Sequence, residues 1–242
     1  LAGPGEPLGA FIAAFAGITC GHLVSGKTKV DIIVTPVITI GAGSVVGLLV
    51  GPPISQMMTG LGSIINWATE QRPFIMGIVV SVVMGMVLTL PISSAALGII
   101  LNLSGLAAGA ATIGCCCNMV GFAVASYREN KFGGFIAQGI GTSMLQMGNI
   151  VKNPRIWIAP ILTSAITGPL ATCLFKLQMN GTPVSSGMGT CGFVGQIGVY
   201  TGWMNDIADG LKTSVTGWDW AGLLMISFIL PAILCPLINM FI

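Results

Sequence analysis

Bond-making chemistry needs titratable side chains at workable spacing, and this sequence holds few. Its single histidine is His22, and its glutamates are Glu6, Glu70 and Glu129 alone. No carboxylate pair falls at helical spacing inside an apolar stretch, and no nucleophile has an adjacent base. Neither acid–base nor nucleophilic catalysis therefore has its parts. Seven cysteines are present, Cys115, Cys116 and Cys117 in a row, but none has metal-ligand spacing. They read as small apolar fillers, and no catalytic residue, metal or cofactor is expected.

Binding is better supplied. Gln138, Thr142, Gln146 and Asn149 lie at i, i+4, i+8 and i+11. On a continuous helix these four occupy one arc of about 80°. Neutral amides and hydroxyls in a stripe suit an uncharged, hydroxyl-rich ligand, because they pair with donors and acceptors without needing buried counter-charges. Asn118, Thr190 and Gln196 extend this set, each next to glycine-rich sequence. The run Gly187-Met188-Gly189-Thr190-Cys191-Gly192 reads as an extended loop whose amides point at a ligand. It does not open a helix after a strand, so it is not a dinucleotide fingerprint. The competing use of each amide is to hold neighbouring helices together.

The elements that position these residues are membrane spans. Of 242 residues, 54% are hydrophobic and only 7% are charged, against about 25% in soluble domains. Nine basic and seven acidic side chains cannot cover the surface of a soluble fold of this length. A net charge of +2 without a basic run excludes a nucleic-acid partner. Thirty-five glycines fit helices that approach closely in lipid.

Apolar stretches long enough for roughly 30 Å of hydrocarbon are expected at residues 8–23, 32–50, 74–90, 101–126, 156–175 and 220–242. Gly9, Ala13, Gly17 and Gly21 form a small-residue seam on the first. Gly51-Pro52-Pro53 is expected to end the second, leaving 54–68 as a surface or re-entrant helix. Leu90-Pro91 breaks the chain at membrane depth, where freed backbone must be satisfied by protein or water. On the 101–126 span, Ala107, Ala111, Gly114, Asn118, Gly121 and Ala125 are expected on one packing face.

Residues 127–155 form a polar, glycine-rich island with Arg128 and Lys131 in front and Lys152 and Arg155 behind. The positive-inside rule puts both ends in the cytoplasm, so the middle folds back as a re-entrant or interfacial segment. Glu129, between two cations, is read as part of a solvated charge cluster. A weak internal echo links NWATEQRPFI at 66–75 with NIVKNPRIW at 149–157, and Thr89-Leu90-Pro91 with Thr167-Gly168-Pro169. Such echoes hint at the internal repeats of transporters.

The stretches PISSAALGIILNLSGLAAGAATIGCCCNMVGFAVASYRENKFGG, QGIGTSMLQMGNIVKNPRIWI and SGMGTCGFVGQIG resemble the EIIC-like membrane proteins of the bacterial phosphotransferase system. They look most like the branch that includes the perfringolysin O regulator. The resemblance implies an all-α, polytopic transmembrane helical bundle with broken or re-entrant helices, a single domain over 1–242. It also implies a homodimer in a bacterial plasma membrane, in contact with lipid, that takes a sugar or similar small molecule. A separate IIB protein would supply any phosphoryl group. The alternative within the same family is a non-transporting sensor binding a small molecule or a lipid. Family members are longer at the N-terminus, so further spans are expected before Leu1.

Overall fold

The computed structural model of the protein describes residues 7–27 and 30–242. Glu6, and Thr28 and Lys29 of the first charged loop, lie outside them. Among the described residues every regular element is helical. Four helices are long and apolar enough to cross a membrane: Asp31–Met57, Gly105–Ala125, Pro154–Leu174 and Gly217–Asn239. Two shorter apolar helices, Gly9–Val24 and Pro73–Thr89, accompany them. The chain divides into two compact units, Leu1–Gly62 and Ser63–Ile242.

In the first unit, α1 (Pro7–Val24) lies antiparallel to the opening half of α2 (Asp31–Gln71). Gly17 meets Thr39 and Gly43, and Gly47 meets Ala13. The small-residue seam thus brings two backbones together. Their larger side chains, including Phe11, Phe15, Ile33 and Leu48, are exposed, as hydrocarbon-facing groups are. One expectation fails here. The helix does not end at Gly51-Pro52-Pro53 but continues through Pro36, Pro52 and Pro53 to Gln71. Proline's fixed φ is already helical, and transmembrane helices tolerate the lost hydrogen bonds by local adjustment. Residues 54–68 are therefore part of α2.

The second unit is built around α5 (Gly105–Ala125), which is buried on every side from residue 107 to residue 123. A single packing face was the expectation, but neighbours surround the helix. α3 (Pro73–Thr89) packs so closely that a Cβ on Gly114 would collide with the Ser81 carbonyl. Gly109 faces Leu177 and Gly121 faces Cys235. α8 (Ile158–Pro169, continued by a π turn Leu170–Leu174) runs antiparallel to α3. The Thr172 hydroxyl donates to the Pro73 carbonyl at 2.7 Å, and the Ser81 hydroxyl donates to the Ser164 carbonyl at 2.8 Å. Between these two bonds Gly77 and Gly168 meet backbone to backbone.

The break after α3 forms as the sequence requires. Leu90 is extended, and the Ser93 hydroxyl caps α4 (Ser94–Ile100) by accepting from the Ala96 amide at 3.1 Å. α4 packs on α9 (Pro183–Ser186), where the Ser94 hydroxyl donates to the Gly187 carbonyl at 2.6 Å. After α9 the chain turns tightly at residues 187–193 and returns as α10 (Val194–Ala208). α9, turn and α10 make a re-entrant hairpin whose tip, at Gly189, touches Cys115 and Cys116 halfway along α5. The extended glycine loop is thus replaced by a helical hairpin. Within that run the amides of Gly187, Met188 and Cys191 bond the carbonyls of Val184, Ser185 and Met188, so these three do not point at a ligand. The chain ends with α11 (Gly217–Leu224), a π turn (Met225–Ile229) and α12 (Leu230–Asn239).

Candidate functional site

The island between α5 and α8 folds as a broken helix. α6 (Tyr127–Ile136) is kinked at Lys131, whose φ is 53°, and a π turn Ala137–Gly141 follows it. Thr142 is extended, and a 3₁₀ turn Ser143–Gln146 leads into α7 (Met147–Lys152). Asn153 accepts from the Arg155 amide at 3.3 Å and starts the 3₁₀ turn Pro154–Trp157 ahead of α8. Because α5 enters the island and antiparallel α8 leaves it, both of its ends lie at one end of the bundle.

The break changes which residues of the stripe meet. Thr142 leaves it: with extended backbone, its hydroxyl turns to cap the Met144 amide at 3.2 Å. The other three join in one directed relay. Asn149 Nδ2 donates to Gln146 Oε1 at 2.8 Å, and Gln146 Nε2 donates to Gln138 Oε1 at 2.8 Å. Gln138 Nε2 donates to Ser126 Oγ at 3.1 Å, and that hydroxyl lies 2.8 Å from the Phe122 carbonyl of α5. Gln138 and Gln146 are buried, while Asn149 is exposed at the outer end. Each amide orients the next, so the outermost carboxamide is held by a chain anchored on a membrane helix.

That outer end opens into a cavity of about 300 Å³. Its polar wall is Ser126, Glu129, Asn130, Gln146, Asn149 and Asn239, and Phe122, Ala125 and Ile156 form the apolar side. No lysine or arginine lines it. The volume is at the lower end for small-molecule sites. One carboxylate among amides accepts strongly from hydroxyl groups, and the apolar side takes carbon faces. Glu129, Asn130 and Asn239 were missed in the sequence. Glu129 is exposed, as a member of a surface charge cluster is, and it also lines this cavity. Asn239 comes from the far end of the last helix, and its only signal was being the last polar residue of an apolar span.

Asn118, Thr190 and Gln196 sit elsewhere. Asn118 is fully buried at a junction of helices. Its Oδ1 lies 3.2 Å from the Thr89 hydroxyl and 3.3 Å from Trp157 Nε1, both donors. Its Nδ2 donates to the Gly114 carbonyl at 3.2 Å and to Ser164 Oγ at 3.4 Å. Thr89 is in turn 2.9 Å from Ser143 Oγ. The node thus ties α3, α5, α8 and the island. Thr190, also fully buried, donates to the Gly139 carbonyl at 2.6 Å and fastens the hairpin tip to the π turn. Gln196 Nε2 donates to Cys116 Sγ at 3.2 Å, while its buried Oε1 has no hydrogen-bond partner among the described residues. Among the described residues no group of three or more histidine, cysteine or acidic side chains could hold a metal ion.

The arrangement combines a membrane bundle, a re-entrant hairpin, broken helices and a polar cavity at one end with one carboxylate among amides. No curated protein and no solved structure matches the chain. A family model described as "Phosphotransferase system, EIIC" matches residues 1–242, and the chain belongs to that family of multi-pass membrane proteins.

Proposed function

We propose that this protein binds an uncharged, hydroxyl-rich small molecule, a sugar or polyol, in the cavity at the C-terminal end of α5 and passes it across the membrane. The observation that carries this reading is the lining of that cavity: amides, a hydroxyl and one carboxylate, with no cation. Such a wall favours hydroxyls and disfavours anions. Glu129 and Asn149 make the polar contacts, and Gln146 holds Asn149 in place through its 2.8 Å bond. Arg128, Lys131, Lys152 and Arg155 flank the same end, which puts the cavity on the cytoplasmic side. Any phosphoryl transfer then requires a separate phosphorylated IIB protein at that face. The family resemblance supports a homodimer in a bacterial plasma membrane.

A second reading, a sensor without transport, is favoured by the sealed packing of α5. Gly114 and Gly109 are closed off by the backbones of Ser81 and Leu177, so passage requires neighbouring elements to move. Purified protein, titrated with a panel of sugars and polyols, should bind at least one of them. Glu129→Gln and Asn149→Ala should weaken that binding about tenfold, as for a lost hydrogen bond to a charged or amide partner. A panel that produces no saturable binding, or variants that bind like wild type, sinks the cavity assignment. Flux of the bound compound in proteoliposomes decides for transport; binding without flux decides for the sensor.

A further inference from the structure

The opposite end of the bundle carries a second cavity. α5 begins there, where the Gly105 amide donates to Asn180 Oδ1 at 3.0 Å and its carbonyl accepts from the Met179 amide at 3.0 Å. α8 finishes there and α11 starts there. The cavity has a volume of about 130 Å³ and is lined by Lys176, Gln178, Trp203, Asp206, Lys212 and Asp219.

Its four charged groups are not equivalent. Lys212 and Asp219 satisfy each other: Nζ lies 2.7 Å from Oδ1, and the ammonium sits 5.1 Å from the centroid of the Trp203 ring. Asp219 is further fixed by the capping box of α11, accepting from the Thr216 amide at 2.7 Å. Asp206 and Lys176 have no such partner. Among the described residues the Lys212–Asp219 pair is the one ion pair within 4 Å. Asp206 is only 6% exposed, and a single neutral donor, Asn180 Nδ2 at 2.9 Å, reaches its Oδ1. A carboxylate withdrawn from water to this degree is costly without a counter-charge. Lys176 is exposed, with its backbone at φ 46°.

The cavity therefore has a buried anion and an exposed cation, neither in an ion pair within 4 Å among the described residues, and a lining without net charge. We propose that it binds a small zwitterion of the amino-acid type, with the ligand's ammonium on Asp206 and its carboxylate on Lys176. A simple anion would leave Asp206 bare, and a simple cation would leave Lys176 unused. The Lys212–Asp219 pair and the Trp203 ring form the fixed wall between them. The ligand bridges the segment after α8 to the end of α10, the returning arm of the re-entrant hairpin. This inference is independent of the sugar reading, because the two cavities share no residue.

The test uses the full chain in detergent micelles, with equilibrium binding and the unfolding midpoint as readouts. The probes are glycine, β-alanine and 4-aminobutyrate, with acetate and methylammonium as single-charge controls. At least one zwitterion should bind saturably, about tenfold or more tighter than either control, since a charge-assisted contact is gained at each end. Asp206→Asn, which keeps an acceptor for Asn180, should lower that affinity about tenfold or more, and Lys176→Gln should lower it as well. Lys176 is exposed, so its variant tests the site even if Asp206→Asn fails to fold. Acetate binding as tightly as the zwitterions, no saturable binding of any probe, or indifference to Lys176→Gln would overturn the proposal.

Discussion

Asn118 shows how little a residue's type reveals about its use. An amide inside a glycine-rich span has two employments, ligand contact or interhelical bonding, and the sequence pattern is the same for both. The structure gives it four partners, Thr89, Gly114, Trp157 and Ser164, and places it outside the Asn149 cavity. Asn118→Leu should leave Trp157 Nε1 without its acceptor, while the Thr89 hydroxyl keeps the Gly85 carbonyl and Ser143 Oγ. The expected loss is about 1–3 kcal/mol, visible as a lowered unfolding midpoint in detergent, with sugar affinity unchanged in the folded fraction. A changed affinity at unchanged stability would return Asn118 to the site. The converse test is Ser227, whose buried hydroxyl has only the weak Cys116 thiol to pair with among the described residues. Ser227→Ala removes a poorly satisfied polar group from an apolar setting, so the midpoint should hold or rise. Gln146 and Asn149 were legible as candidates for the proposed site because their polarity conflicts with an apolar chain. Glu129 was not, because a carboxylate between cations looks like ordinary surface.

At the scale of elements, periodicity located the spans and failed at their interruptions. Leu90-Pro91 was readable as a break because a proline follows an uninterrupted apolar run, whereas Pro52-Pro53 was misread as one. The difference lies in what replaces the lost backbone bonds, which local sequence does not state. After Thr89 a Ser93 cap is available to start α4; at Pro52 the helix simply continues. Ser93→Ala should therefore cost about 1 kcal/mol and loosen α4, read as faster amide exchange confined to α4 and its partner α9. The island shows the same limit. A 3.6-residue period placed Thr142 in the stripe, but the extended residue after the π turn rotates it out and still lets Gln138 and Gln146 meet. Here the relay depends on the break, so Gln146→Glu, which replaces the donor to Gln138 with an acceptor, should uncouple it. Saturable sugar binding should weaken although Gln146 keeps its volume.

In the second unit, helices from before and after the island pair with each other. α3, the broken α4 and α5 are followed, after the island, by α8, the broken α9 and α10. α3 and α8 run in opposite directions, since Pro73 at the start of α3 meets Thr172 near the end of α8, and α4 meets the end of α9. Side-chain identity is scarcely retained between the halves, because in lipid the requirement is small residues at crossings, which many sequences satisfy. This arrangement fixes a topological consequence. The Asn149 cavity and the Lys176 cavity terminate opposite ends of α5 and α8, so one must face each side of the membrane. Single cysteines at Asn149 and at Gln178, in a chain whose Cys20, Cys173 and Cys191 are replaced by serine, should react with an impermeant thiol reagent from opposite sides of sealed vesicles. The basic residues around the island predict that Asn149→Cys reacts from the cytoplasmic side. Labelling of both from one side would contradict the antiparallel pairing itself. Labelling from opposite sides with Asn149→Cys outside would preserve the fold and reverse the orientation, moving the sugar cavity to the face where a ligand first arrives.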